Sequence, residues 1–322
     1  MIVAVSIVAL FYIGWQLDIV FMLLFGGLIL ATALRALADL LSRVVPLGER
    51  GALASVVIGI VALLALLAWL TGGLVATQFA ELRATLPRAL AAAREWLQSA
   101  ALGPTVLELL ESTKEDGVPW ARVVVVTTAA VGGIVNTVLV AAIGLYLAAS
   151  PNLYVRGTLR LFPDDHRKPV QAALIAVGES LRRWLVGQSL SMALIGTLTA
   201  VGLYLLDVPL AFTLGLIAGL LAFVPFFGPI AFGVLAVVLT FTQGPQQALY
   251  VAILCFAIQQ IEGYIFMPLI QRWAVALPPV LGLISVVIFG LLFGLMGVLF
   301  ATPLMVALMT LVDELYVKKQ RA

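Results

Sequence analysis

Residues 209–243, PLAFTLGLIAGLLAFVPFFGPIAFGVLAVVLTFTQ, form an apolar run of 35 residues without a charged side chain. A helix needs about 20 apolar residues to cross a bilayer, so this run is almost twice the required length. Pro225 and Pro229 interrupt it, because proline lacks an amide donor and clashes with the preceding helical turn. Irregular backbone at membrane depth is tolerated only inside protein or beside water. We predict a broken helix whose loop lines a functional site; the alternative is a kink that serves packing alone. The loop consists of Pro225, Phe226, Phe227, Gly228 and Pro229.

Seven further apolar segments bring the total to eight. The others cover residues 1–16, 19–34, 52–75, 123–149, 185–206, 247–267 and 277–312. Only Leu17 and Asp18 separate the first two, which form either a tight hairpin of short spans or one long, interrupted helix. The pattern predicts an all-α polytopic membrane protein with about eight transmembrane segments, two of them long and broken or re-entrant.

The composition excludes several other classes of protein. Hydrophobic residues make up 63% of the 322 residues and charged residues only 11%. Soluble domains carry about 25% charged residues, so we do not expect a cytosolic enzyme or a nucleic-acid-binding protein. One cysteine, Cys255, and one histidine, His166, cannot form an intrachain disulfide or a Cys/His metal cage. We expect no metal and no cofactor, and no cleavage site follows Met1 to indicate a removable signal peptide.

The basic residues predict the orientation. Twelve of the 18 lie in three groups that an eight-span topology places on one side, which the positive-inside rule makes the cytoplasm. The groups are Arg35, Arg43 and Arg50, then Arg156, Arg160, Arg167, Lys168, Arg182 and Arg183, and finally Lys318, Lys319 and Arg321. Residues 78–120, with six acids and four bases, then lie outside. We expect a multi-pass protein of the cell membrane with both termini cytoplasmic.

Two extramembrane pieces are amphipathic. The outer piece, residues 78–120, begins with a helix that ends near Gly103 and Pro104, and it lies on the outer leaflet or packs on the bundle. The inner piece, residues 152–184, contains a helix that we expect to begin at Pro169 and to lead into the fifth segment. The two apolar stripes are Phe79, Leu82, Leu86, Leu90 and Leu97, and Val170, Leu174, Val177, Leu181 and Leu185. Neither piece is large enough to fold alone, so residues 1–322 are interpreted as one transmembrane domain.

Glu262 stands in the last third of the seventh segment. A carboxyl group there is costly unless it faces the bundle or water, so it is a candidate for ion coupling. Desolvation disfavours its charged form, which suits a proton or cation carrier. Gln259 lies one turn earlier on the same face, and Gln260 widens the polar patch. The alternative is that these groups bond neighbouring helices and fix packing.

Residues 277–312 contain a looser break at Gly294, Gly297 and Pro303. These glycines also permit close helix packing, so function and packing are equally supported. If both long segments fold back, or both cross, the basic tail stays inside. If only one did, the tail would lie outside, against the charge rule. The sequence does not choose between these two arrangements.

A charged group precedes the fifth segment. Glu179 can pair with Arg182 or Arg183, at helical spacings of three and four residues. With Trp184, these arginines favour an interfacial anchor; the alternative is a cytoplasmic gate for substrate. Gln188 is expected to form an interhelical hydrogen bond, and Asp207 to form a turn.

Four ordered stretches resemble the autoinducer-2 exporter-like permeases. They contain Arg156-Gly157-Thr158 through Phe162-Pro163; Leu206-Asp207-Val208-Pro209 followed by the proline loop; Gln259-Gln260-Ile261-Glu262-Gly263 with Met267-Pro268; and Leu277-Pro278-Pro279 with Gly294-Leu295-Met296-Gly297 and Ala301-Thr302-Pro303. The resemblance implies a permease of about eight helices and a homo-oligomer. Some relatives are similar to exporters of the signal autoinducer-2, others to sodium/proton antiporters.

This chain departs from that family at a few positions. Phe226 and Phe227 replace the commoner Tyr-Ile, Asp207 stands where glycine is usual, and Pro278 stands where many relatives have histidine. The last difference removes a histidine proton carrier and leaves Glu262 as the better candidate.

The sequence bears on three classes of function. A secondary transporter would export a small solute coupled to a proton or sodium gradient, with sodium (or lithium)/proton antiport as the alternative. A non-transporting oligomeric envelope scaffold, acting through residues 78–120, is compatible with the acidic outer segment. An intramembrane enzyme is not expected, since no His-Glu-x-x-His array, no serine with a neighbouring base in the spans and no phosphate-binding loop is present. The predicted partners are the lipid bilayer, a small-molecule or ion substrate and further copies of the chain.

Overall fold

The computed structural model describes residues 17–46, 48–99, 130–225, 227–266, 268 and 278–318. These ranges are helical and contain no strand, which confirms the all-α prediction. A helix suits an apolar chain in a bilayer because it bonds its own amides and carbonyls. In chain order the helices are α1 Asp18–Val44, α2 Glu49–Ser99, α3 Ala130–Ala149, α4 Pro151–Leu159, α5 Asp164–Leu205, α6 Ala211–Leu221, α7 Phe227–Thr240, α8 Pro245–Ile261 and α9 Pro279–Val312.

The described residues divide into two compact units. The first unit comprises residues up to 63, residues 131–186 and residues from 278 onward; the second comprises residues 64–99 and 187–268. Helices α2 and α5 contribute to both. The interpretation of the chain as one domain stays a prediction.

In the first unit, α1 packs closely against α3 and α9. A methyl group on Gly27 would lie 2.4 Å from the Ile143 side chain, so the two backbones approach where no side chain intervenes. The rings of Phe25 and Phe300 meet edge to face, with centroids 6.0 Å apart. Small residues and aromatic rings thus fix this unit where lipid supplies little hydrophobic driving force.

In the second unit, the core joins α5, α6, α7 and α8, and the later part of α2 packs on it. Leu82, Leu86 and Ala89 of α2 contact this core. Leu82 and Leu86 of the outer amphipathic stripe thus pack on the bundle, whereas Leu90 is 48% exposed, and the placement of the whole stripe stays a prediction. The predicted end of that helix near Gly103 and Pro104 lies outside the described residues.

The long segment 209–243 folds back on itself. Helix α6 ends at Leu221 and α7 begins at Phe227, which confirms the predicted break. A methyl group on Gly228 would lie 1.7 Å from the Leu221 carbonyl oxygen, whereas residues seven apart in one helix are separated by about 10 Å.

The two ends of this segment also meet. The Gln243 side chain donates to the Asp207 carbonyl at 3.3 Å, and that of Gln247 donates to the Leu206 carbonyl. Leu206 and Asp207 precede α6, and Gln243 and Gln247 follow α7. The segment therefore returns to the end of the unit from which it started.

The segment 277–312 shows the same behaviour where it is described. Gly294 has φ 60° and ψ −141°, which ends the helical path inside α9. A methyl group on Gly297 would lie 1.8 Å from the Phe289 carbonyl oxygen, although residues eight apart in a helix are separated by about 12 Å. Both long segments fold back on themselves, which favours the arrangement in which both return, and their course in the membrane stays a prediction.

Five helices are long and apolar enough to cross a membrane, or six if the bent pair α3–α4 counts as one span. The five stretches are Asp18–Val44, Glu49–Trp69, Asp164–Leu205, Pro245–Phe266 and Val280–Val317. The last stretch qualifies by total length and composition, although Gly294 divides it into two shorter helices that fold back. Helices α6 and α7 are too short to cross alone. Residues 1–16 and 123–129 lie outside the described ranges, so the total of eight segments stays a prediction.

Helix α5 begins at Asp164, and the predicted start at Pro169 is wrong. Two acids, Asp164 and Asp165, occupy the first turn, where they favour the positive end of the helix dipole. Arg167 pairs with Asp164 and donates to the carbonyls of Leu159 and Phe162. These contacts start the helix five residues before the proline.

Candidate functional site

Glu262 lies at the end of α8, where the helix continues into a wider π-helical turn, Glu262–Phe266. Such turns often occur at functional positions. The carboxylate accepts hydrogen bonds from the Ser191 hydroxyl at 3.1 Å and from the Gln259 amide at 3.3 Å. Glu262 is half-buried and Ser191 is buried. Within the described ranges its partners are neutral donors, and no ion pair fixes its charge.

Gln188 connects this carboxylate with the broken helix. It lies on α5 three residues before Ser191, and side chains at that spacing are neighbours on a helix. Its amide donates to the Ala222 carbonyl oxygen at 2.7 Å, which confirms the predicted interhelical bond. Ala222 directly follows α6, where helical bonding ends. We call Gln188, Ser191, Gln259 and Glu262 the polar cluster.

The proline loop is held by short-range hydrogen bonds. The Phe227 amide donates to the Pro225 carbonyl at 2.8 Å, and the Gly228 amide to the Val224 carbonyl at 2.9 Å. Pro229 lies in the first turn of α7, where a missing amide costs little. Phe226 lies outside the described residues.

The loop brings the C-terminal end of α6 against the N-terminal end of α7. The first end presents carbonyl oxygens and the second presents amide groups, so both signs of partial charge occur there. The Ala222 carbonyl accepts a hydrogen bond from Gln188, and the Glu262 carboxylate accepts one from Ser191, which lies three residues further along α5. A carboxylate at this position can take up a proton.

Two predicted site residues differ in placement. Gln259 belongs to the polar cluster, whereas the neighbouring Gln260 is exposed and does not enter it. A role for Gln260 in the transport pathway therefore stays a prediction.

The second break and the charged group lie in the first unit. Gly294 makes the break and Gly297 contacts the preceding half of α9, whereas Pro303 lies buried within the helical stretch that follows. The role of this second break in a functional site stays a prediction.

Glu179 pairs with Arg183 at 3.0 Å on the exposed side of α5. Arg182 instead pairs with Asp39 of α1 at 2.9 Å, a contact that the sequence analysis missed. Trp184 is buried in protein, with only 7% of its surface exposed, which does not fit a lipid-facing anchor. The group ties α5 to α1, and its role as a gate stays a prediction.

Sequence analysis also missed Ser191 and the pair formed by Gln78 and Thr213. Thr213 is fully buried on α6, and its hydroxyl donates to the side-chain amide oxygen of Gln78 on α2. The available signal for Ser191 was its spacing from Gln188. Among the described residues, no three His, Cys, Asp or Glu side chains are grouped as a metal site.

These features define an all-α, multi-pass membrane protein with folded-back helices and one carboxylate in its polar cluster. The model of the AI-2E family transporter matches residues 1–317. The chain belongs to the AI-2E family of transporters, as the resemblance of its motifs indicates.

Three relatives, each named "Putative transport protein", match part of the chain. YrrI of Bacillus subtilis (strain 168) is 29% identical over 158 residues, which cover 49% of this chain and 45% of YrrI. The protein sll0060 of Synechocystis sp. is 28% identical over 178 residues, covering 54% of this chain and 49% of that protein. MT0215 of Mycobacterium tuberculosis is 31% identical over 149 residues, covering 45% and 40%. The matched regions thus span less than half the length of each relative.

Proposed function

We propose that the chain is a secondary transporter that exports a small solute coupled to a proton or sodium gradient, with Glu262 as the coupling carboxylate. Membership of a transporter family supports the general class. The polar cluster and the adjacent broken helix support the mechanism, because discontinuous helices in transporters form substrate and ion sites.

One observation carries this proposal: the Glu262 carboxylate lies in an apolar span and is held by the neutral donors Ser191 and Gln259. An ion pair would hold the carboxylate permanently charged. Neutral donors stabilise the bound geometry and leave the charge free to be exchanged for a proton or a cation. Coupling follows if occupation of this site changes the bond of Ser191 to Glu262 and, through α5, the bond of Gln188 to Ala222 beside the broken helix.

The test is transport in proteoliposomes with an imposed pH gradient. Internal pH is followed while sodium, lithium or candidate solutes, including a labelled furanone, are added. Glu262→Gln keeps the shape of the side chain and removes its charge, so we expect coupled transport to be lost while folding is retained. Glu81→Gln changes an exposed acid in the same way and should transport like the parent protein.

The outcomes separate the candidate functions. Collapse of the gradient by a cation, lost in Glu262→Gln, would indicate cation/proton antiport. Furanone efflux without a cation response would indicate a solute exporter. Unchanged transport in Glu262→Gln would contradict the coupling role, and no transport in well-folded protein would favour the envelope scaffold.

We also propose the cell membrane as location, with cytoplasmic termini. The three basic groups support this orientation. Lys318 is one of them, and the hydrogen bond to Glu314 raises the pKa of its ammonium group. A homo-oligomer is proposed from the family resemblance, and light scattering of the purified protein tests it.

A further inference from the structure

A cavity of about 710 Å³ lies in the first unit, at the ends of four helices. It is formed where α1 leads into α2 and where α3 leads into α4. Its volume falls within the range of small-molecule sites, about 300–1,000 Å³. The polar residues that line it are Arg35, Glu49, Arg50, Ser150, Asn152 and Arg156.

The charge of this cavity is positive. Three arginines face one acid among its lining residues, a net formal charge of 3 − 1 = +2. Arg35 is occupied: it donates to the Ala148 carbonyl at 2.6 Å and pairs with Glu49 at 3.1 Å. Arg50 and Arg156 form no ion pair within the described part of the chain, so their guanidinium groups are available to an anion.

The backbone around the cavity also suits an anion. Helix α4 begins at the cavity, and Ser150, which precedes it, makes no capping hydrogen bond with its side chain. Pro151 has no amide hydrogen and the Leu153 amide donates to the Ser150 carbonyl, so this end of α4 contributes the Asn152 amide and the partial positive charge of a helix N-terminus. Gly48 precedes α2, and a methyl group on it would meet open space, so the backbone is accessible there. These features add to the two arginines.

The cavity lies where apolar helices begin and end, which indicates a position near the membrane surface. The apolar stretches of α1 and α2 begin or end beside it, and α4 bends by 86° from α3 at the same point. A helix that turns by this angle from a span lies roughly along the membrane plane. The cavity is therefore expected at the level of lipid headgroups. Its arginines belong to the groups assigned to the cytoplasmic side.

We propose that this cavity binds a phosphate group, held by Arg50 and Arg156, on the cytoplasmic side of the membrane. Two arginines form hydrogen bonds with phosphate oxygens in a planar, bidentate geometry. A phosphate can reach this place as the headgroup of an anionic phospholipid or as a free ion. Basic pockets between membrane helices bind such headgroups.

The experiment compares the parent protein with Arg50→Gln/Arg156→Gln in detergent. Native mass spectrometry measures retained phosphatidylglycerol against phosphatidylcholine, and thermal unfolding measures stabilisation by inorganic phosphate. Each arginine should strengthen the binding of an anionic lipid by about fivefold, so the double variant should bind about 25-fold more weakly. Arg43→Gln removes an exposed arginine in the last turn of α1 that does not line the cavity, and it should bind like the parent protein.

Each result decides the proposal. Selective loss of phosphatidylglycerol in the double variant supports a lipid phosphate site, and loss of stabilisation by inorganic phosphate alone supports a free phosphate site. Equal binding in the parent protein and the double variant, or equal weakening by Arg43→Gln, overturns it. If the double variant does not fold, Arg50→Lys/Arg156→Lys keeps both charges and loses the bidentate geometry, and unchanged binding there overturns the proposed geometry.

Discussion

At the scale of single residues, Ser191 is the neighbour that we expect to tune Glu262. Its hydroxyl donates to the carboxylate, and a hydrogen bond to a charged group contributes roughly 1.5–3 kcal/mol. Ser191→Ala should therefore lower coupled transport by about tenfold. Ser189→Ala removes the same hydroxyl from an exposed position of α5 and should leave transport unchanged. Equal effects of the two replacements would contradict a direct role of Ser191.

Asp207 adopts a backbone conformation that few residues tolerate. Its φ is 53°, in the left-handed region, where glycine meets no steric penalty and aspartate is favoured over β-branched residues. Glycine, which the family resemblance implies at this position, would adopt the same conformation without strain. We expect Asp207→Gly to retain thermal stability and Asp207→Val to lose about 1–2 kcal/mol. Equal unfolding temperatures for the two variants would argue against the strained turn.

Some site residues were predictable because their polarity conflicts with their surroundings. Glu262 and Gln188 stand in apolar helices, and such residues need a partner. Ser191 gave no such signal, because serine is common in membrane helices and can bond its own backbone. The pair of Arg182 with Asp39 spans 143 residues of sequence, and no local pattern encodes a contact of that separation.

At the scale of helices, two glycines allow the long segments to fold back. A methyl group at Gly228 or Gly297 would meet a carbonyl oxygen of the preceding helix at under 2 Å. Each replacement by alanine should destabilise the protein by at least about 3 kcal/mol, or stop folding. Gly233→Ala is the matched control, because a methyl group there meets open space. Size-exclusion profiles and thermal unfolding measure the difference, and equal stability of all three variants would refute the tight turns.

The helical breaks were predictable to different degrees. Pro225 and Pro229 predict the break in segment 209–243, because proline has no backbone amide hydrogen to donate within a helix. In α9 the break lies at Gly294, which has a positive φ. A glycine in the sequence is equally typical of a break and of close helix packing, so it did not predict the break by itself. Pro169 predicted a helix start that the acids and Arg167 of the first turn of α5 place earlier. Local rules therefore located the breaks, and tertiary contacts decided what each break does.

At the scale of the whole molecule, the folding back of the long segments determines on which side of the membrane each connection between helices lies. Helix α5 is long enough to cross the membrane, and the segment after it returns to its starting end. Charge patterning alone allowed this arrangement or its alternative with two additional crossings. The bonds of Gln243 and Gln247 to the end of α5 provide the information that sequence lacked, since they join residues 36 and 41 positions apart.

This topology predicts the accessibility of single cysteines. Cys255 is the only cysteine, so Cys255→Ala provides a background for new ones. Lys168→Cys and Gln246→Cys place a thiol at exposed positions near the start of α5 and at the start of α8. In intact cells, a membrane-impermeant maleimide should label Gln246→Cys and spare Lys168→Cys until the membrane is permeabilised. A single crossing by segment 209–243 would place both thiols on one side and give equal protection.

The C-terminal tail tests the second fold-back independently. Lys318→Cys should behave like Lys168→Cys, because α8 crosses once more and α9 returns to the side where it began. If segment 209–243 alone folded back, α9 would cross and Lys318→Cys would be labelled from outside. A protected Lys318→Cys together with a labelled Gln246→Cys is therefore the pattern that requires both segments to return, and it is the arrangement that keeps the three basic groups on the cytoplasmic side.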